Sequence, residues 1–422
     1  MKIVISSDIY YPMINGVAVF SRNLATGMAQ RGHEVIVLAP SISGEFEIEK
    51  DRQGKFKVVR LPSFKIPFYP DQINEIKEVK KFFGRHLPQL FYRNGLHVSL
   101  NPYPEIKKVL NSFQPDIIHN QSPGPVALAV YRYAKKFNVP LVATGHAYPD
   151  NFTSQLHIGA LAKKPLDVVM KNYFASFLRK SAYATVPTEI AMDDLLPKRR
   201  RRFKTPVEAI SNGVDLSMFS YRAKDPKICK KYKIDPNKKT VLYVGRIDPE
   251  KSLHVLMEAY ARVSEKTQNT QLVLVGDGTD KNRLKMAAEE MHIQDRVIFT
   301  GRVVGKNLPK LYNVGDVFAI SSTTETQSIV VMEAMASGLP IVAVRAGALE
   351  ELVHNKKNGF IYNAGDVGGI AKGLKSILEH PDMQKRMSKE SLQMAKKHDI
   401  CYTLSRMEEI YRAVIKSHSE NF

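Results

Sequence analysis

Hydrophobic residues in this chain fall into two alternating rhythms. Short runs rich in Val and Ile carry apolar side chains in unbroken succession, as strands covered on both faces do. They are Ile3 to Ser6, Glu34 to Leu38, Asp116 to His119, Pro140 to Thr144 and Tyr183 to Val186. Between them, Val17 to Gln30 and Pro125 to Phe137 place apolar positions at helical spacing. The rhythm restarts with Thr240 to Val244, Gln271 to Val275, Val297 to Thr300, Val317 to Ile320 and Pro340 to Ala343. Alternation of this kind predicts parallel sheets with helices on both faces. Two blocks of about 200 residues predict two doubly wound α/β domains. The joint is expected near Ser211-Asn212-Gly213-Val214-Asp215, where turn formers follow a strand. Tyr402 to Ser417 reads as one more helix, with Leu404, Met407, Ile410, Tyr411 and Val414 as its apolar stripe. The predicted organisation is a first domain over 1–210, a second over 211–398, and a terminal helix in 399–422 that crosses back to the first.

Composition narrows the class. Over 422 residues, 44% hydrophobic and 25% charged are globular values and exclude a disordered or collagenous chain. Lys+Arg minus Asp+Glu is 62 − 42 = +20, so anions are favoured partners: nucleic acid, phosphorylated metabolites or an anionic membrane. Two cysteines, Cys229 and Cys401, cannot form a disulfide scaffold and predict a reducing compartment. No apolar run reaches the roughly 18 residues of a membrane span. The opening Met1-Lys2-Ile3-Val4-Ile5-Ser6 reads as a strand rather than a signal peptide. A cytoplasmic protein with peripheral membrane contact is the expectation.

Several chemistries are disfavoured by missing motifs. There is no Gly-x4-Gly-Lys-Ser/Thr for a P-loop, no Asp-x-Asp for a metal-clamped diphosphate, and no His-Glu-x-x-His or Cys-x-x-Cys for zinc. Gly276-Asp277-Gly278 follows a strand, but Lys281 stands where a dinucleotide fingerprint needs its third glycine. No metal and no cofactor are therefore expected. No helix interleaves base-contacting residues, so charge alone predicts no specific nucleic-acid partner.

Four loops remain, each at the carboxyl end of a predicted strand. Glu325-Thr326-Gln327-Ser328 leads into a helix expected from about Gln327 to Ser337 and ended by Gly338. Free N–H groups near Gln327 and Ser328 would make an anion site there. Glu333, about two turns on, could accept a pair of vicinal hydroxyls; the alternative is that both glutamates are surface charges. Val244-Gly245-Arg246-Ile247-Asp248-Pro249-Glu250-Lys251 carries two cations that could neutralise a diphosphate without a metal. The alternative is a surface Lys/Glu pair. Asn15-Gly16-Val17 lets backbone approach a ligand or forms a tight turn. Gly145-His146-Ala147 offers a histidine that is either structural or part of a site. Loops at the carboxyl edges of two facing sheets would converge on one cleft.

Taken together and in order, these elements resemble the retaining family-4 glycosyltransferases of the GT-B fold. The matching pieces are Glu325-x7-Glu333, Gly245-Arg246-x4-Lys251, Ser-Asn-Gly-Val-Asp at 211–215, the Asn-Gly-Val loop and Phe299-Thr300-Gly301-Arg302-Val303. The resemblance covers nearly the whole chain. It implies two Rossmann-like domains facing an interdomain cleft, with a nucleotide-sugar donor held mainly by the second. Carried over, Gly245, Arg246 and Lys251 bind the diphosphate, Glu333 the ribose and Glu325 the donor sugar. Gln327 and Ser328 belong to the same donor loop, the backbone at Arg302 and Val303 meets the base, and Gly16 belongs to the loop that closes over the phosphates. His146 reaches the transferred sugar. The set assigned to catalysis is His146, Glu325, Arg246 and Lys251. Ser328 departs from the family, in which glycine is common, and either crowds the pyrophosphate or adds a contact. The element after Gly145-His146 reads Ala147-Tyr148-Pro149, which leaves the acceptor side open.

The family keeps anomeric configuration, and no residue here is an evident covalent nucleophile. A front-face route is expected, in which the departing phosphate oxygen takes the acceptor's proton, shielded from water by domain closure. The stretch Phe64 to Arg93 mixes Phe68, Tyr69, Phe82 and Phe83 with Lys77, Lys80 and Lys81, as an interfacial segment does. A second aromatic stretch, Leu166 to Leu178, reads first as a core helix. The Glu-Thr-Gln variant is similar to that of diacylglycerol glucosyltransferases. The expected activity is transfer of a hexose, from a UDP-sugar by preference, to a lipid or glycolipid acceptor. The expected place is the anionic inner face of the cell membrane. The competing readings are a transferase with a soluble or polysaccharide-precursor acceptor, a nucleotide-sugar epimerase, and a basic nucleic-acid binder.

Overall fold

The computed structural model describes residues 1–13, 15–51, 54–65, 97–146, 160–196 and 203–420. They form two compact units, Met1–Ser211 with Tyr402–Phe422, and Asn212–Cys401.

The first unit is built on strands β1 (Lys2–Ser6), β2 (Glu34–Pro40), β3 (Glu47–Lys50) and β4 (Lys57–Leu61). A two-stranded ribbon of β5 (Phe64–Lys65) and β6 (His97–Val98) lies apart from the sheet. Then come β7 (Ile117–Asn120), β8 (Leu141–Thr144), β9 (Tyr183–Val186) and β10 (Val207–Ala209). The sheet runs β10-β9-β8-β7-β1-β2-β4-β3. Its pairings are parallel except β3 on β4, an antiparallel edge. Ile3, Val4 and Ile5 are fully buried in β1, because helices cover both faces. Ile118, Val4 and Leu38 pack on one side against the helices Tyr103–Phe113 and Pro125–Phe137.

The terminal helix Ile400–Glu420 belongs to this unit from Tyr402 onward. Its stripe is the one the spacing marks: Leu404, Met407, Ile410, Tyr411 and Val414 are all buried. Leu404 lies so close to the helix Gly16–Gln30 that a Cβ on Gly27 would fall 2.3 Å from its Cδ1. Arg406 adds an ion pair to Glu208 at 2.8 Å.

The second unit holds β11 (Lys239–Val244), β12 (Thr270–Val275), β13 (Val297–Gly301), β14 (Val317–Ile320), β15 (Ile341–Val344) and β16 (Gly359–Tyr362). All are parallel, in the order β13-β12-β11-β14-β15-β16. Numbered within the unit that is 3-2-1-4-5-6, the doubly wound arrangement, with its reversal between β11 and β14. The corresponding reversal in the first sheet lies between β1 and β7. Ligands of such sheets bind outside the carboxyl ends of the strands at the reversal.

The helix Ala160–Arg179 joins the core through its C-terminal end. Phe174, Phe177 and Leu178 are buried, whereas Val169 and Tyr173 are exposed. Of the stretch Phe64 to Arg93, only Phe64 and Lys65 are among the described residues, and of Lys198 to Lys204 only Phe203 and Lys204. Ala147, Tyr148 and Pro149 also lie outside them. Among the described residues, no helix is long and apolar enough to cross a membrane.

Candidate active site

In the second unit, four loops meet at the reversal of strand order. After β11, Gly245 turns at φ 156°, a backbone angle that favours glycine. The Tyr243 hydroxyl donates to the Arg246 carbonyl at 2.7 Å and fixes that turn. The Arg246 guanidinium is clasped by Asp248 at 2.6 Å and by Glu250. Burial opposes its charge, but Glu250 and Asp248 outweigh burial and hold it charged.

Lys251 ends the short turn Pro249–Lys251, and its Nζ lies 2.8 Å from Glu325 Oε1 and 3.3 Å from Ser322 Oγ. Glu325 and Ser322 come from the loop after β14. The ion pair therefore bridges the two strands between which the sheet order reverses. Burial pushes the Glu325 carboxyl up, yet Lys251 outweighs that and holds it below the ordinary value. The loop after β15 backs this one: Ala348 N–H donates to the Glu325 carbonyl at 3.0 Å, and Gly347 leaves no room for a Cβ there.

The helix expected from Gln327 begins two residues later, as Ile329–Ala336, with Ser328 at its N-cap. The reason is local. Gln327 turns its side-chain oxygen to accept from Asn212 N–H at 2.7 Å, and Ser328 is extended at ψ 96°. The first intrahelical bonds run from Val331 and Met332 to the Ser328 carbonyl. The N–H groups of a helix's first turn suit an anion. Ser328 is 1% exposed, and its hydroxyl helps to hold the Glu325 carboxyl down.

Neither glutamate is a surface charge. Glu333 is 8% exposed and accepts from the Tyr312 hydroxyl at 2.6 Å. Burial raises its carboxyl to about 7, and the Tyr312 hydrogen bond offsets this only in part. Arg302 and Val303 follow β13, whose last residue Gly301 has φ 73°. Arg302 is exposed, and Val303 packs on the core edge.

Gly276 and Gly278, which fail as a dinucleotide fingerprint, have another use. A Cβ on Gly276 would fall 1.8 Å from the Gly245 carbonyl oxygen, and one on Gly278 2.0 Å from that of Ile247. The loop after β12 is thus pressed on the loop that carries Arg246.

In the first unit, His146 follows β8 and is 8% exposed. Its Nε2 lies 2.8 Å from Gln121 Oε1, and the Phe20 ring sits 4.8 Å away. Burial lowers the imidazole to about 3, so it is neutral near pH 7. Gly16 opens the helix Gly16–Gln30, whose N-cap Asn15 accepts from Ala18 N–H. Gly16 is exposed and has open space where a Cβ would be, so the tight turn read as its alternative does not require glycine. After β1, half-buried Asp8 accepts from the N–H groups of Val126 and Gly124 and from the Ser122 hydroxyl. Burial raises its carboxyl to about 6 against those bonds.

Asp8, Gln121, Asp248 and Tyr312 were not among the residues singled out by sequence. Asp8 and Gln121 follow the two strands at the first sheet's reversal, and that rule would have found them. Tyr312 has no sequence signal, because only the fold brings it to Glu333.

Residues 224–394 match the family model described as Glycosyl transferases group 1, and residues 14–218 match Glycosyltransferase Family 4. The chain is 27% identical over 399 residues to an alpha-monoglucosyldiacylglycerol synthase of Streptococcus pneumoniae, covering 93% of this chain and 82% of the relative. It is 28% identical over 404 residues to a protein of the same name from Acholeplasma laidlawii, covering 93% and 92%. Among solved structures, Anabaena HepE in complex with UDP and glucose superposes with a TM-score of 0.70 at 18% identity, over 97% of this chain and 99% of that one.

Proposed function

The chain belongs to the family-4 glycosyltransferases of the GT-B fold and is a hexosyltransferase, and on that premise we propose that it moves a hexose from a UDP-sugar to a lipid or glycolipid acceptor at a membrane surface. The observation that carries the donor side is the Lys251–Glu325 pair at the strand reversal, beside the open end of the helix Ile329–Ala336. UDP is favoured because the similar HepE fold is seen with UDP and glucose. The lipid acceptor is favoured by the two alpha-monoglucosyldiacylglycerol synthases that this chain resembles along most of its length.

The chemistry follows from where charge develops. As the sugar–phosphate bond breaks, the leaving diphosphate gains negative charge. Lys251 and the helix N–H groups stabilise that charge, and Arg246 joins them from its clasp by Asp248 and Glu250. Glu325 spends one oxygen on Lys251 and directs the other to the sugar hydroxyls. Glu333, with its second oxygen free of Tyr312, takes the ribose diol. His146, neutral, meets the transferred sugar as a hydrogen-bonding group, not as a charge. The departing phosphate oxygen takes the acceptor's proton, and the new bond forms on the face the phosphate left. Configuration is thereby kept.

A thermal-shift panel of UDP-, GDP- and ADP-sugars tests the donor side. A ligand at about 100 Kd adds roughly 2.7 kcal/mol of stability. UDP-sugars should give the largest shift, and turnover should persist in EDTA because Arg246 and Lys251 serve in place of a metal. A larger shift with GDP- or ADP-sugars would refute the UDP assignment, and turnover lost on chelation and restored by Mg²⁺ would refute metal independence.

A further inference from the structure

We propose that Gln121 is a positioning residue for the transfer step: its side-chain oxygen holds the His146 ring with the proton on Nε2, so that Nδ1 is the lone pair offered to a sugar hydroxyl. The inference rests on the reading of His146 as the group that meets the transferred sugar. Neither the family motifs nor the residue pattern assigns Gln121 a task.

The geometry is a pair of matched rungs across two strands. In the β7–β8 register His119 stands opposite Val142 and Asn120 opposite Ala143, which puts Gln121 opposite Thr144. His119 Nε2 reaches two residues on to Thr144 Oγ1, at 2.7 Å. Gln121 Oε1 reaches two residues on to His146 Nε2, at 2.8 Å. The first rung is fully tied: His119 Nδ1 meets the Tyr411 hydroxyl at 2.6 Å, and Thr144 Oγ1 meets Thr185 Oγ1 at 2.6 Å. It anchors the ends of both strands to the terminal helix. The second rung, one step nearer the strand ends, has no further side-chain tie among the described residues.

Gln121 is 1% exposed, and its Nε2 has no hydrogen-bond partner among the described residues. Among the described residues, the side-chain contact of this buried amide is a single histidine nitrogen. Leaving a buried donor unmade is costly, and the arrangement is accounted for if a ligand oxygen beside His146 completes it. A neutral imidazole has one N–H and one lone pair, and the partner of one nitrogen decides what the other offers. Phe20 packs at 4.8 Å from the ring and confines it, and the titratable group on the neighbouring rung, His119, is itself neutral.

The test reads the ring directly. In ¹⁵N-histidine NMR of the full chain, wild-type His146 should show a single tautomer with Nε2 protonated, unchanged down to about pH 5. Gln121→Leu should lose that single tautomer. Gln121→Glu, close in shape, should place a carboxylate on Nε2 and move His146 protonation up by more than one pH unit. With UDP-glucose and diacylglycerol vesicles as the probe pair, Gln121→Glu should gain an acid limb in its kcat profile that wild type lacks. Gln121→Leu should lose about tenfold or more in kcat with UDP affinity unchanged. An Nδ1-protonated ring in wild type, or an unchanged tautomer in both variants, overturns the proposal. His146→Ala separates the two readings. Full activity in that variant refutes the role of His146 at the sugar, whereas its loss beside a fully active Gln121→Leu refutes positioning alone. If Gln121→Leu does not fold, the tautomer and protonation of Gln121→Glu decide.

Discussion

Two glutamates eight residues apart in sequence are driven in opposite directions by what surrounds them. Burial raises both, but Glu325 has Lys251 at 2.8 Å and stays ionised, while Glu333 has only a neutral hydroxyl donor and rises to about 7. If Glu333 accepts the ribose diol, it does so best when ionised, because a charged acceptor makes the stronger bonds. UDP affinity should therefore climb between pH 6 and pH 8 in wild type. Glu333→Gln should be flat over that range and about tenfold weaker at pH 8, near 1.4 kcal/mol. Calorimetric titration of UDP at three pH values checks this; equal affinity of mutant and wild type at pH 8 would remove Glu333 from the ribose. The sign for stability is opposite. The folded chain keeps this proton from about 4.5, the ordinary value, up to about 7, whereas the unfolded chain has released it. Glu333 therefore adds stability below that window and loses it as pH rises through it, and Glu333→Gln should flatten the dependence.

Elements whose side chains are buried on both faces were legible, because hydrophobic runs such as Val317–Ile320 have no other use. The terminal helix was legible because Leu404, Met407, Ile410, Tyr411 and Val414 recur at helical spacing, and all are buried. The strand Glu47–Lys50 was not: it is exposed at all four positions, and an edge strand needs no apolar residues. Loops were half legible. Spacing linked Glu325 to Glu333, but the Lys251–Glu325 pair spans two strands that only the sheet order makes neighbours. Gly276-Asp277-Gly278 lacks the third glycine of a dinucleotide fingerprint; its glycines serve the packing of one loop on another. This gives a prediction. Gly276→Ala should strain φ 152° and drive its Cβ into the Gly245 carbonyl oxygen. We expect about 2 kcal/mol or more lost from folding stability, and a loss of UDP affinity larger than the same substitution causes at Gly16, where a Cβ has open space. Thermal melts with and without UDP measure both. An unstrained Gly276→Ala with wild-type affinity would mean that this loop contact does not shape the site.

At the scale of the whole molecule, the fact to be explained is the net charge of +20. Ion pairs in the second unit's site consume little of it, since Arg246 and Lys251 are already met by Asp248, Glu250 and Glu325. The surplus lies elsewhere; the run Lys198 to Lys204 is its densest part in sequence, and the stretch Phe64 to Arg93 carries six basic residues against three acidic ones. Each basic residue close to an anionic bilayer contributes about 1 kcal/mol, acting within a screening length of about 8 Å at physiological salt. Aromatic side chains inserted at the interface add a part that salt does not screen. Binding should therefore require anionic lipid, weaken as salt rises, and level off above zero. Co-sedimentation with neutral and anionic vesicles at low and high salt resolves the two parts. The triple variant Lys77/Lys80/Lys81→Glu should lose most of the salt-sensitive part on anionic vesicles and keep UDP binding. Equal pelleting of variant and wild type would take this stretch out of the membrane contact. Failure of wild type to pellet on any vesicle would turn the acceptor from lipid to a soluble glycan, with the basic surface left to a different anion.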